Sequence, residues 1–106
     1  MTPDELYAEF RRAQDFLDSG RPADAALIVA PVVEAEPGNV AAAELLARAY
    51  FASAQLTRAE AALRRLVDLA PADGWARHAL ARVLERQSRH DEAAEHHRVA
   101  RALGFG

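Results

Sequence analysis

Residues 40–73 read VAAAELLARAYFASAQLTRAEAALRRLVDLAPAD, and the rest of the chain can be read outward from this stretch. Its apolar and small residues recur at three- and four-residue intervals, first through Ala43, Leu46, Ala47 and Tyr50, then through Ala59, Leu63, Leu66 and Val67. That is a helical period, twice over. Asn39, just before the stretch, is a good N-cap, because its side-chain oxygen can accept a hydrogen bond from a free first-turn N–H. Thr57-x-x-Glu60 has the form of a capping box and predicts the start of the second helix there. Pro71 ends it.

The stretch has copies on both sides at a spacing of 34 residues. Pro37 returns as Pro71, Ala25 as Ala59 and Ala93, Leu46-Ala47 as Leu80-Ala81, Arg48 as Arg82 and Tyr50 as Leu84. Self-similarity at a fixed period of this length signals a stacked helical repeat. The divisions fall near 3–37, 38–71 and 72–106, within one domain spanning 1–106. Each repeat would be two antiparallel helices, giving six helices and an all-α fold. Alanine is abundant, and it enters helices without loss of side-chain entropy.

Local signals agree. Thr2-Pro3-Asp4-Glu5 is a capping box with proline at the first helical position. That helix runs to about Asp18 and ends at Ser19-Gly20. Pro22 opens the second, which reaches about Ala35 before Glu36-Pro37-Gly38. The third runs from Val40 to about Ser53, and the fourth ends near Leu69. Asp73 caps a fifth, from Gly74 to about Gln87. Asp91 and Glu92 favour the start of a sixth, which ends at Leu103-Gly104. Pro31 falls inside the second helix and predicts a bend tolerated on the convex side.

The pattern Ala43-x2-Leu46-Ala47-x2-Tyr50, Ala59-x3-Leu63, Pro71 resembles the tetratricopeptide repeat (TPR) family. The first unit (Ala13, Phe16, Ala25-x3-Val29, Pro37) and the third (Leu80-Ala81-x2-Leu84, Ala93) are looser copies. The third has His97 where an apolar residue is expected and Phe105 in place of the proline. The resemblance implies a right-handed α-solenoid of three helix-turn-helix units. Alanines 13, 47 and 81 would meet alanines 25, 59 and 93 where the helix backbones come nearest. Phe16, Val29, Tyr50, Leu63, Leu66, Leu80 and Leu84 would fill the space around them. Arg12 replaces Leu46 and Leu80, and the last helix carries Glu95, His96, His97, Arg98 and Arg101, so both ends read as finished and the chain as a short complete solenoid. The extra C-terminal capping helix common in the family is missing, and Phe105 has no obvious core partner.

The resemblance also implies that the first helix of each unit lines a concave groove for a protein or peptide. By repeat position the first unit gives Tyr7, Phe10, Arg11, Gln14, Leu17 and Asp18. The second gives Ala41, Glu44, Leu45, Arg48, Phe51 and Ala52, and the third Trp75, His78, Ala79, Arg82, Glu85 and Arg86. Large apolar side chains (Tyr7, Phe10, Leu17, Phe51, Trp75) gather there with Arg48, Arg82 and Arg86, Phe10 and Leu17 being divided between groove and core. Guanidinium binds carboxylate in bidentate fashion, so an acidic or C-terminal carboxylate group on the partner is one expectation. A mixed-charge groove in which Asp18, Glu44 and Glu85 pair with the arginines is the other. Trp75 would either meet a ligand or cover the junction of repeats two and three. The carboxylate clamp of chaperone-binding relatives uses lysines and asparagines. This chain has no lysine, its only asparagine is Asn39, and Phe10, Glu44 and His78 occupy one clamp position, so that mechanism is not expected. Self-assembly into a homo-oligomer is the alternative function.

Other classes find little support. All 13 basic side chains other than histidine are arginine, and the net charge of −3 disfavours nucleic acid, whose phosphates need a basic surface. Cysteine is absent, which removes thiolate chemistry and disulfides. His90, His96, His97 and Glu92 share one helix without the geometry of a metal site, so neither metal nor cofactor is expected. Ser19, Ser53 and Ser88 sit near helix ends without a base and orienting acid, and the reading is not an enzyme. With no apolar span or leader, a cytoplasmic location is expected, and the arginine-only composition suggests GC-rich, bacterial coding.

Overall fold

A computed structural model describes residues 1–105. Gly106, the last residue of the expected third repeat, lies outside the described residues. Six helices follow one another: α1 Pro3–Asp18, α2 Pro22–Ala35, α3 Val40–Ala52, α4 Leu56–Leu69, α5 Gly74–Arg86 and α6 His90–Ala102. There is no strand among the described residues. Each helix packs on the next in sequence, and α1 also touches α3, so contacts stay between neighbours. The result is elongated, 42 × 23 × 20 Å, as stacked pairs require. No helix of the described chain is long and apolar enough to cross a membrane.

Helix starts at Thr2, Asn39 and Asp73 follow the sequence. Thr2 and Glu5 form the reciprocal capping box, while the Asn39 and Asp73 side chains accept from the N–H groups of Ala42 and Ala76. The expected box at Thr57–Glu60 is a miss. Helix α4 starts at Leu56, its N-cap is Gln55, and no side chain caps it. The Glu60 carboxylate is engaged elsewhere, by Arg64, Arg89 and Gln87. Helix α2 runs unbroken through Pro31, which is exposed.

The first helix of every repeat ends in the same way. In the first, the Arg21 N–H donates to the Phe16 carbonyl and the Gly20 N–H to Leu17; in the second, Gln55 donates to Tyr50 and Ala54 to Phe51. Arg89 to Leu84 and Ser88 to Glu85 repeat this in the third. These are Schellman turns, which need a left-handed residue after the cap. Gly20 (φ 79°), Ala54 (φ 56°) and Ser88 (φ 61°) supply it, one repeat apart, although only the first is glycine.

The small residues sit where expected. Ala13, Ala25, Ala47, Ala59 and Ala81 are fully buried and Ala93 is 1% exposed, so the helices approach at alanine contacts. Leu63, Leu66, Leu80, Leu84 and Val29 fill the space between them. Phe16 and Tyr50 are only half-buried, Tyr50 lying at the boundary of the two core clusters.

Second helices of repeats two and three are joined by ions. Arg89 reaches Glu60 at 2.7 Å and Glu92 at 2.8 Å, and Arg64 reaches Glu92 at 2.7 Å and Glu60 at 3.0 Å. Burial would raise the Glu60 carboxyl, but hydrogen bonds from Gln87, Arg64 and Arg89 outweigh it and hold the group below its usual range. Together these contacts clamp α4 to α6.

Candidate functional site

Helical rotation of about 100° per residue decides which first-helix side chains reach the open face. Two that map there by repeat position do not reach it. Leu45 is 6% exposed and Ala79 fully buried, each turned into the core between neighbouring helices.

Trp75 stands on the first turn of α5. The Arg48 guanidinium carbon lies 3.9 Å from the centre of its ring, and Phe51 meets it edge-on at 6.0 Å and 77°. Glu44 accepts from Arg48 Nε at 3.0 Å, which fixes the guanidinium over the ring. Arg48 and Phe51 belong to repeat two and Trp75 to repeat three. Trp75 therefore covers the junction while keeping part of its surface open, for it is only half-buried. Of the two expectations for this residue, the structure bears on the junction, which Trp75 covers in part.

Around this cluster the remaining residues divide. Arg82 is exposed and lies 3.7 Å from Glu85, and exposed Arg86 makes no ion pair among the described residues. Glu85 also bonds His97 Nε2 at 3.1 Å, and that bond is the main cause of its lowered pKa. His78 lies half-buried, its ring 5.8 Å from that of His97 and 4.8 Å from that of Phe105. Burial first, then the charges of His97 and Arg82, push its pKa down. In repeat one, Tyr7 is 61% exposed and its hydroxyl accepts from Arg11, Gln14 is exposed, and Phe10 leans half-buried on the core. Glu44 and Glu85 pair with arginines as one sequence reading had it; Asp18 makes no ion pair among the described residues.

Phe105 joins neither core cluster, as expected, but finds a neighbour at the surface. The Gly104 residue takes φ 86°, the Phe105 N–H returns to the Ala100 carbonyl, and the ring folds onto His78. A Cβ on Gly74 would come within 2.8 Å of the Phe105 Cβ, so the missing side chain at position 74 makes the seat. Of the histidines on α6, His96 Nδ1 faces Arg77 at 3.2 Å and His97 faces Glu85. No group of three metal-ligating side chains occurs among the described residues.

The sequence reading did not anticipate the opposite face. Between α2 and α4 a furrow of about 930 Å³ opens, with Tyr50 in its lining and Leu27, 76% exposed, beside it. Its signal lay in comparing repeats, because Ala26 and Ala30 stand where repeat two has Glu60 and Arg64.

Six helices stacked as consecutive antiparallel pairs define an α-solenoid. Tetratricopeptide repeat models match residues 16–73 and residues 46–104, each more than half of the chain. The chain belongs to the tetratricopeptide repeat family, a family of protein-interaction scaffolds that are not typically enzymes. Among solved structures it is similar to MamA 41-end from Desulfovibrio magneticus RS-1, with 28% identity over 96% of this chain and 58% of that one, at a TM-score of 0.85. A MamA RS-1 double mutant gives 28% identity over 96% of this chain and 57% of that one, at 0.87. A MamA point mutant gives a TM-score of 0.90 at 24% identity, over 99% of this chain and 77% of that one, and shows the fold alone. The chain thus spans less than two thirds of the length of the first two. No curated protein matches the sequence.

Proposed function

We propose that this chain is an adaptor that binds a partner peptide or protein along its first-helix face and performs no catalysis. The observation that carries the reading is the Trp75 cluster. Phe51 and Arg48 hold the indole in place across a repeat junction, with Glu44 fixing the arginine and Arg82 and Arg86 exposed further along α5. A fixed aromatic costs little entropy when a partner covers it, and aromatic and arginine side chains carry much of the energy at interfaces. Arg86 is free to meet a carboxylate, while Arg48 and Arg82 are already partnered by Glu44 and Glu85. A partner with acidic or C-terminal carboxylate groups would therefore be recognised chiefly at the α5 end of the face. We infer a cytoplasmic setting and a bacterial source from composition. Self-assembly is the alternative reading, for Phe105 packs on His78 yet stays 37% exposed beside Leu103 at 39%.

Affinity capture from native lysate, comparing the natural chain with Arg48→Glu/Arg82→Glu and with the same chain carrying Arg86→Glu as well, tests the reading. Circular dichroism first establishes that the variants keep their helices. The adaptor reading expects a partner that the variants lose and that shifts Trp75 emission when added back. Equal capture by all three chains, or a captured partner that leaves Trp75 emission unmoved, would remove the first-helix face from consideration.

A further inference from the structure

The ion network between α4 and α6 has no counterpart one repeat earlier. Moving back by 34 positions, Glu60 becomes Ala26, Arg64 becomes Ala30, Arg89 becomes Gln55 and Glu92 becomes Arg58. Where charged side chains close one junction, small ones leave the other open. The furrow of about 930 Å³ between α2 and α4 lies at that place, and a second hollow of about 270 Å³ continues it along α4.

Its walls are mainly apolar. Ala26, Ala30 and Tyr50 line it, and Leu27 and Pro31 stand exposed along the α2 side. Alanine at both α2 positions leaves room for a large side chain to enter. A cover over Leu27 would take a largely exposed aliphatic side chain out of water, which favours binding.

The charges around the furrow say what kind of cover fits. Arg58 lines the furrow from α4 and Arg65 the hollow that continues it, and Glu34 is the one carboxylate among the residues lining the two. At the next junction each arginine of the network has a carboxylate within 3.0 Å. Arg58 has only the neutral Gln55 amide oxygen, at 3.0 Å, and Arg65 makes no ion pair among the described residues. Arg58 stands where the next repeat has the carboxylate Glu92, so the furrow carries positive charge where the closed junction carries negative, and neither Arg58 nor Arg65 has a carboxylate partner among the described residues. Carboxylate is the natural complement, since guanidinium offers paired donors to it.

We propose that the α2–α4 furrow is a second docking site, for a partner-protein segment carrying a large aliphatic or aromatic side chain next to an acidic one. The apolar group enters between Ala26, Ala30 and Tyr50, beside Leu27. The carboxylate meets Arg58 or Arg65, which have no carboxylate partner among the described residues. This surface belongs to the second helices and is separate from the Trp75 face, so the two sites can be occupied together.

The test is selection from a displayed library of random short peptides on the full chain, with counter-selection on Ala30→Arg. That substitution places in the furrow the arginine that repeat two has at Arg64. The tightest peptides are then measured by fluorescence anisotropy on the natural chain, Ala30→Arg, Arg58→Glu and Leu27→Glu. Leu27 is already exposed, so its variant keeps the test alive if Ala30→Arg fails to fold by circular dichroism. The expected result is enrichment of a large apolar residue adjacent to Asp or Glu, with binding weakened about tenfold or more by each folded variant. No enrichment, selected peptides without acidic residues, or equal affinity for all variants overturns the proposal. Sedimentation of the same proteins adds one more outcome. A dimer of the natural chain that these substitutions dissolve would make a second copy the occupant, and the partner-segment proposal would fall.

Discussion

The Arg48 guanidinium lies 3.9 Å from the centre of the Trp75 ring and so ties repeat two to repeat three across the first-helix face. Cation–π contacts contribute about 0.5–2 kcal/mol, according to how far water is excluded. Arg48→Ala should lower stability within that range and shift the emission of Trp75, the only tryptophan, to longer wavelength. Arg48→Lys should fall between, because an ammonium keeps the charge but not the planar stack. Unchanged emission in the alanine variant would contradict the stacking.

Glu60 is the hub of the clamp between α4 and α6, with its side chain 17% exposed. Its replacement by glutamine leaves Arg64 and Arg89 short of a partner. Glu60→Gln should cost about 1–2 kcal/mol, read as a lower urea midpoint with unchanged slope. Glu92→Gln, at the open end of the network, should cost less, since exposed pairs contribute little. Equal losses from the two variants would count against Glu60 as the hub.

Acid should weaken the fold in two stages. His78, through burial and then His97 and Arg82, and His96, through burial and then Arg77 and Arg64, are held below the ordinary 6.5. As pH falls below 6.5, the unfolded chain takes up these protons before the folded one, so stability drops. A second loss follows below 4.5, where the unfolded Glu60 protonates and the folded one still resists. Melting temperature against pH should show both stages, and His96→Gln should shrink the first. A melting temperature that rises on mild acidification would reverse the sign and refute the assignment.

Ala54 and Ser88 hold the left-handed position that glycine fills at Gly20. A side chain there costs roughly 1–2 kcal/mol relative to glycine, partly offset by the freedom glycine adds to the unfolded chain. Ala54→Gly and Ser88→Gly should each stabilise by up to about 1 kcal/mol, and Gly20→Ala should destabilise by a similar amount. Thermal unfolding of the three variants gives the comparison; a loss in Ala54→Gly would be incompatible with strain at that turn.

Gly74→Ala would bring a Cβ within 2.8 Å of the Phe105 Cβ, and the tail is the easier part to move. Phe105 should then leave His78, whose pKa should return toward 6.5. Histidine titration by NMR reads this directly. An unchanged His78 would mean that Phe105 contributes nothing to its burial.

Much of this architecture was legible because repetition amplifies weak signals. Alanine at 25, 59 and 93 means little once and a great deal three times over, and the caps at Thr2, Asn39 and Asp73 are local chemistry. Thr57 misled because the start of α4 is set by the turn before it. The Gln55 N–H is already bound to Tyr50, which places Leu56 in the helix ahead of any threonine cap. Leu45 and Ala79 misled because a repeat position gives register, whereas burial depends on how the next helix leans. The Trp75 cluster could be anticipated as a gathering of residue types, but the stacking of Arg48 required coordinates. The furrow was hardest to see, since it arises from side chains that are not there.

The two junctions between repeats are fastened differently: α4 and α6 share charges and Trp75 has its clasp, while at the first α2 packs on α3 and the space toward α4 stays an open furrow. In a solenoid, stability is close to a sum of repeat and nearest-neighbour terms, so an uneven pair of interfaces gives an uneven opening order. Amide hydrogens of α1 and α2 should exchange by partial unfolding, while those of α3 to α6 wait for global unfolding. The chain then behaves as a persistent two-repeat body with a looser N-terminal hairpin, and whatever settles between α2 and α4 acts as its latch.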